Sequence, residues 1–352
     1  MIKSRYNIIG VMSGTSLDGI DLAHITLEYN QKWTFKIHEA ETVLYSKKWL
    51  VLLKSIVNCA KKELDLINID YTDYLGETIQ KFINDKNINE LDAICSHGHT
   101  ALHRPENGLT YQIGNHPKLA QIVQNLVVCD FRIQDVKLGG QGAPLVPIGD
   151  RLLFSDFDYC INLGGFANIS SEFNTNRIAY DICPVNIVMN RYAHVLGFDF
   201  DDGGVIAKSG VVNQDVLNRL NTLSYYKKTP PKSLGLEWVE KFIFPILEAS
   251  KLSEKDILRT VVEHVAIQIA KSIKPNSKVL ITGGGTYNSF LLERIKVHNE
   301  CHITIPSKVI IEYKEALIFG LLGVLKLRNE INCLSSVTGA KHSHSSGEIY
   351  YP

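Results

Sequence analysis

Short apolar runs separated by small, polar residues open the chain. Residues 6–11 and 20–27 are apolar and β-prone, and the loop between them is rich in Gly, Ser and Asp. That pattern predicts a β-hairpin, and residues 33–45 read as a further pair of strands. The period then lengthens to that of a helix. Leu50, Leu53, Ile56, Val57 and Ala60 share one face of residues 47–62, and Tyr74, Leu75, Thr78, Ile79, Phe82 and Ile83 share one face of 70–84. Residues 91–96 form a short buried strand whose end delivers His97, His99 and His103 into a loop. Strands alternating with helices predict a parallel sheet, which holds its ligands at the carboxyl ends of the strands.

A strand at 109–113, a helix at 116–126 and a strand at 127–132 follow. Residues 138–147, LGGQGAPLVP, are the stretch richest in Gly and Pro and mark a domain boundary. Beyond it the opening pattern returns. A strand at 159–163 runs into Gly164-Gly165 and then into a second strand, so one glycine hairpin per half suggests an internal duplication. A strand at 177–181 precedes helices at 185–196, 213–222, 236–249 and 254–274. A last strand, 278–282, delivers Gly283-Gly284-Gly285 directly into a helix at 288–297, and a helix at 313–328 carries Glu315 near its start. The expected division is 1–139, 140–340 and a surface tail, 341–352.

Composition narrows the class. A chain of 352 residues with 45% hydrophobic and 21% charged residues fits a two-domain globular protein. Lys plus Arg equals Asp plus Glu at 37 each, which argues against a dedicated nucleic-acid binder. The seven cysteines are scattered and contain no CxxC pair, so they read as reduced thiols of a cytoplasmic protein. The start lacks a signal-peptide pattern, and no apolar run approaches the roughly 20 residues that span a bilayer, so no membrane partner is expected.

The candidate chemistry sits at the turns. Ser13, Gly14, Thr15, Ser16, Leu17, Asp18 and Gly19 form a loop whose amides and hydroxyls can face an anion, with Asp18 or Asp21 near enough in sequence to hold hydrated Mg²⁺; a plain polar turn fits the same residues. No Lys follows the glycines, so this is not a Walker A loop. Arg132 at a strand end is either an anion clamp or a surface ion pair. Asp181 at a strand end is either catalytic or the cap of the helix after it. Asp201 and Asp202 are Mg²⁺ ligands or solvated. The three glycines at 283–285 admit a purine against bare backbone, or simply make a tight turn. His97, His99 and His103 have a spacing that a metal site can use, although loop histidines bonded to substrate or backbone fit better.

Three glycine loops across two halves fit a bilobal, actin-like ATPase better than a Rossmann enzyme. GVMSGTSLDGID (10–21), SHGHTALHRP (96–105), DFRIQDVKLGGQGAPLVP (130–147), INLGGFANIS (161–170), KSLGLEWV (232–239), VLITGGGTYN (279–288) and SSVTGA (335–340) together resemble anhydro-N-acetylmuramic acid kinase, in the family's order and over nearly the whole chain. The resemblance implies a two-domain α/β fold of the actin-like ATPase (ribonuclease H-like) kind with an interdomain ATP cleft. It implies ATP and Mg²⁺ as cofactors, an amino sugar as substrate, and a homodimer. The reaction would open 1,6-anhydro-N-acetylmuramic acid with water and phosphorylate O6. The family's DTGPGN motif, whose aspartate is the base, matches Asp181-Ile182-Cys183-Pro184-Val185-Asn186, so that role carries over to Asp181. The hairpin loop, Gly164-Gly165 and Gly283-Gly284-Gly285 would hold ATP. Arg132, His97 and Glu315 would hold the sugar. Ile182, Cys183 and Val185 depart from the motif and add bulk beside the base. Three other readings remain: a kinase for another sugar, a non-catalytic ATP sensor, and a metal-dependent hydrolase built on His97, His99 and His103.

Overall fold

The computed structural model describes residues 3–352, which divide into two compact units: residues 3–153 with 313–352, and residues 154–312. The chain therefore returns to its first unit, and the expected linear division at 139/140 is replaced by a discontinuous one. Residues 140–153 stay with the first unit, where helix Val146–Leu153 buries Pro147, Ile148 and Gly149. The second boundary falls at Tyr313, where the helix Lys308–Leu327 departs from helical geometry (φ −111°, ψ 17°).

The first unit is built on β1 (Arg5–Ser13), β2 (Ile20–Asn30), β3 (Lys32–Val43), β4 (Ala93–Arg104), β5 (Leu109–Ile113) and β6 (Val127–Cys129). Its sheet runs β3-β2-β1-β4-β6, antiparallel between β1, β2 and β3 and parallel between β1, β4 and β6. Ile8, Ile9 and Val11 of β1 are all buried, as the continuous apolar run of a central strand requires. One face of β1 packs on the helix Lys308–Leu327, so closely that a Cβ on Gly10 would lie 2.1 Å from the Ala316 carbonyl oxygen. That helix is apolar all round from Ala316 to Leu325 and is correspondingly buried. β3 is one strand, where a pair was expected: its alternation of Trp33, Phe35 and Ile37 with Thr34, Lys36 and His38 is that of an edge strand with a solvated face.

The second unit is built on β7 (Tyr159–Leu163), β8 (Phe166–Phe173), β9 (Asn176–Pro184), β10 (Lys278–Thr282) and β11 (His302–Thr304). Its order is β9-β8-β7-β10-β11, with β7, β8 and β9 antiparallel and β7, β10 and β11 parallel. Strand for strand this repeats the first unit, so the duplication suggested by the two glycine hairpins is present in the topology. The core gathers on helix Glu254–Lys271, whose Leu258, Val262, Val265 and Ile269 are fully buried. Ser253 caps it, its hydroxyl accepting from the Asp256 amide.

The tail is not a surface appendage. Glu348–Tyr350 pairs antiparallel with β6 and extends the first sheet, while His344 and Ser346 are buried. Three residues are too few to show a period, and the polar stretch 341–347 before them hides the element from a reading of hydrophobic pattern. The helix expected at 47–62 ends early, at Ser55, and after a 3₁₀ turn, Ile56–Asn58, the helix expected at 70–84 starts early and runs Lys61–Asp85.

Candidate active site

In the first unit, the turn between β1 and β2 spans residues 14–19. The Leu17 amide closes on the Gly14 carbonyl at 3.3 Å, with Leu17 itself left-handed (φ 63°). Thr15, Ser16 and Asp18 are exposed. Ser13 is not part of that exposed face. Its hydroxyl is buried and bonded to Tyr45, to Tyr71 (3.0 Å) and to His99 Nδ1 (2.9 Å), so its side chain anchors the loop from below. At Gly19 (φ 151°) a Cβ would meet the Val43 carbonyl oxygen at 2.7 Å, a position only glycine fills without strain. Asp21 accepts from the Thr42 hydroxyl at 2.6 Å.

His97 and His99 lie inside β4, where a loop was expected, because the strand continues through Gly98 to Arg104. The three histidines do not converge: His97 engages Arg132, His99 engages Ser13, and His103 Nδ1 faces the Thr110 hydroxyl at 3.1 Å. Burial holds His99 down to about 4 and His97 well below the ordinary imidazole range, with Arg132 adding to the latter effect. His97 Nε2 accepts from Arg132 Nε at 2.8 Å and its Nδ1–H donates to the Gly98 carbonyl at 2.8 Å, which sets the tautomer.

Arg132 flanks the short helix Ile133–Lys137, beyond the end of β6, and also donates to the Gly142 carbonyl at 2.6 Å. Burial lowers it to about 10, still charged at neutral pH, and Glu315 is the largest opposing influence. Glu315 reaches an exposed edge, yet the protein around it raises its carboxyl above the ordinary range; Arg132 opposes that rise and Asp21 adds to it. His97, Arg132, Glu315 and Asp21 are thus brought into one neighbourhood.

The residue that sequence reasoning missed is Asp135. It is fully buried and accepts from the Thr338 hydroxyl (2.7 Å), the Cys333 thiol (3.0 Å) and the Gly142 amide (2.7 Å). A Cβ on Gly140 would lie 2.2 Å from its carboxylate. The glycine loop at 138–142 and the 335–340 segment therefore close on one carboxylate, and that closure fixes Arg132. The signal was an acid three residues after Arg132 and four before Gly139-Gly140.

In the second unit, Gly164-Gly165 makes a two-residue turn whose carbonyls accept from the amides of Asn186 (3.3 Å) and Val185 (2.8 Å). Gly283 (φ 84°) and Gly285 press on the end of β7, where added Cβ atoms would meet Asn162 Oδ1 at 2.5 Å and Leu163 Cβ at 2.7 Å. Gly284, by contrast, has open space before it. A short 3₁₀ turn, Gly284–Tyr287, intervenes before helix Ser289–His298, which Asn288 caps. Gly284 and Gly285 line a pocket of about 230 Å³ together with Asn186, Phe200, Asp202 and Tyr287. Asp201 spends both carboxylate oxygens on the Ile206 and Ala207 amides (2.8 and 2.9 Å), so it caps a helix turn.

Asp181 lies on β9 and is half-buried. One carboxylate oxygen accepts from the Leu234 amide at 2.8 Å, and its carbonyl accepts from the Tyr225 hydroxyl at 2.6 Å. It does not cap the following helix, Asn186–Val195, whose N-cap is Val185 without a side-chain bond. Burial raises its carboxyl above the ordinary range, with the Leu234 amide opposing. Ile182, Cys183 and Val185 point into the unit's apolar core, so the departures from the motif are packed away as core volume.

Comparison with known proteins supplies the family. The AnmK family, described as anhydro-N-acetylmuramic acid kinase, matches residues 6–352. The anhydro-N-acetylmuramic acid kinase of Saccharophagus degradans is 33% identical over 98% of both chains. That of Francisella tularensis subsp. novicida is 32% identical over 97% of this chain and 98% of its own. Among solved structures, a ligand-bound xylulose kinase from Lactobacillus acidophilus is similar at TM-score 0.47 and 10% identity, covering 98% of this chain and 94% of its own. The match to the family runs through both units and through every stretch described above, and the chain belongs to the anhydro-N-acetylmuramic acid kinase family.

Proposed function

We infer that the chain is an ATP-dependent kinase that opens 1,6-anhydro-N-acetylmuramic acid with water and phosphorylates O6, giving N-acetylmuramic acid 6-phosphate and ADP. The observation that carries this reading is Asp181, a half-buried carboxylate with a raised pKa, oriented by a backbone amide, in a chain that matches the family from residue 6 to 352. Such a carboxylate is suited to take a proton from water, which is too weak a nucleophile unaided. As the proton moves to Asp181, the water oxygen bonds to the anomeric carbon and the C1–O6 bond breaks. The electron pair left on O6 then attacks the γ-phosphorus, and the bond to ADP breaks.

Phosphoryl transfer needs positioning and charge neutralisation more than covalent help. The loop Ser13–Gly19 and Gly164-Gly165 are assigned to the phosphates, with Ser13 acting through its buried anchor, and the pocket at Gly283–Gly285 to the adenosine. Asp18 and Asp21 offer carboxylate oxygens, the donor type Mg²⁺ takes, and Mg²⁺ there would neutralise phosphate charge. Arg132 pairs with the lactyl carboxylate, its fork held by His97 and the Gly142 carbonyl, while Glu315 bonds polar groups of the sugar. A homodimer in the cytoplasm completes the reading. Among the described residues no helix is long and apolar enough to cross a membrane.

The test is a product assay in ¹⁸O-water with 1,6-anhydro-N-acetylmuramic acid, ATP and Mg²⁺, sampled early because a reducing sugar exchanges that oxygen. One ¹⁸O at the anomeric position of a phosphorylated product is expected, and none with Asp181→Asn. ATP binding without any phosphorylated product would overturn the reading in favour of a sensor.

A further inference from the structure

Three side chains of metal-ligand type, from distant parts of the sequence, meet inside the first unit. Asp135 is fully buried, Cys333 is 1% exposed and His344 5%. Oδ1, Sγ and a ring nitrogen of these residues all lie within 4.8 Å of one another. Asp135 Oδ1 stands 3.0 Å from Cys333 Sγ and 3.7 Å from His344 Nε2. Around a tetrahedral zinc ion, bond lengths near 2.3 Å to sulfur and 2.0–2.2 Å to nitrogen or oxygen place neighbouring ligand atoms about 3.3–3.6 Å apart. These two separations bracket that range, and the third, between Cys333 and His344, lies within 4.8 Å. The backbone prepares the arrangement: Cys333 and His344 exchange both main-chain hydrogen bonds, at 3.1 Å each, which sets their side chains next to each other.

A second observation points to a missing electrophile. His344 Nδ1 lies 3.1 Å from the His342 carbonyl oxygen and donates to it, which in the neutral ring leaves Nε2 without a proton. Nε2 is then an acceptor, yet it is buried without a hydrogen-bond partner and faces another acceptor, the Asp135 carboxylate. A buried polar atom left unpaired costs on the order of 1–3 kcal/mol. A cation between the two groups satisfies both.

We propose that Asp135, Cys333 and His344 bind one divalent transition-metal ion of the zinc class, as a structural site. A set of one sulfur, one imidazole nitrogen and one oxygen selects zinc-like ions over Mg²⁺ or Ca²⁺. Thr338 Oγ1, 2.7 Å from Asp135 Oδ1, is the neighbouring oxygen for a fourth position. Binding converts the Cys333 thiol, now donating to Asp135, to a thiolate and releases one proton to solvent; the carboxylate and the neutral imidazole need not change. The ion would tie the C-terminal arm to the 132–142 segment that holds Arg132. It differs in donor chemistry and place from the oxygen ligands assigned to Mg²⁺.

The experiment uses the full chain without a histidine tag, unfolded, freed of metal and refolded with or without Zn²⁺ or Co²⁺. Expected are one Zn²⁺ per chain by elemental mass spectrometry, one proton released per ion, and with Co²⁺ a thiolate charge-transfer band in the near ultraviolet. Cys333→Ser should abolish that band, and His344→Gln should weaken binding more than about 100-fold. If Cys333→Ser does not refold, stoichiometry and proton release in the unaltered chain decide. Less than about 0.2 ion per chain, or a charge-transfer band that survives Cys333→Ser, would overturn the site.

Discussion

The two units share a strand order and differ in what their turns contain. In the first, residues 14–19 form a six-residue loop between β1 and β2, exposed at Thr15, Ser16 and Asp18 and anchored through Ser13 to Tyr45, Tyr71 and His99. In the second, the equivalent turn is only Gly164-Gly165, stapled by its carbonyls to the helix that follows β9. The first unit keeps its buried charge close to the candidate sugar residues, around Asp135 and Arg132. The second gathers its most heavily paired charge in a cluster where Glu263 meets Arg259, Arg294 and His298. One topology serves both, and function follows from the side chains placed on it.

That division of labour makes ordered predictions. Asp181→Asn should reduce kcat by about 10²–10⁴-fold, the usual worth of a general base, while ATP binding measured by calorimetry persists. A loss of ATP affinity of similar size would mean that Asp181 supports the fold of its unit rather than the chemistry. Next in size is Glu263→Gln. Burial pushes the Glu263 carboxyl up, but hydrogen bonds from Arg294, Arg259 and His298 outweigh this and bring it down to about 2. Its contribution is therefore present above the ordinary carboxylate range near 4.5 and is lost as pH falls toward 2. Removing it should cost about 3 kcal/mol and flatten the acid branch of the stability curve, read by urea unfolding at pH 7 and pH 3. Turnover per folded molecule should be unchanged.

Arg132→Lys tests the other unit. Losing a fork held at two points should raise KM for the sugar by about 10-fold or more and leave KM for ATP alone. Equal effects on both would erase the proposed separation of roles. The smallest effect is in the pH profile. A base works only when deprotonated, so kcat/KM should fall with acid, with its midpoint above the ordinary aspartate value near 3.8 because burial raises Asp181. A midpoint at or below that value would deny Asp181 the role.

Much of this architecture was legible in the order of residues. Local alternation and glycine placement determine a hairpin wherever two β-prone runs meet across small residues, and β5, β7 and β10 stand where periodicity alone puts them. The motifs around Asp181 and the three glycine turns are contiguous, so the family could be read from them directly. What tertiary structure decided is what depends on partners far away in the chain. Strand β4 runs on through His97 and His99 because β5 folds back to pair with it. The tail becomes a strand because β6 presents a free edge, and three residues after a polar stretch gave no periodic sign of it. Asp135 looks like any acid in a helical stretch. It becomes a hub because burial makes an unpaired carboxylate costly, so Gly142, Cys333 and Thr338 must all close on it, and two of those donors lie about two hundred residues away.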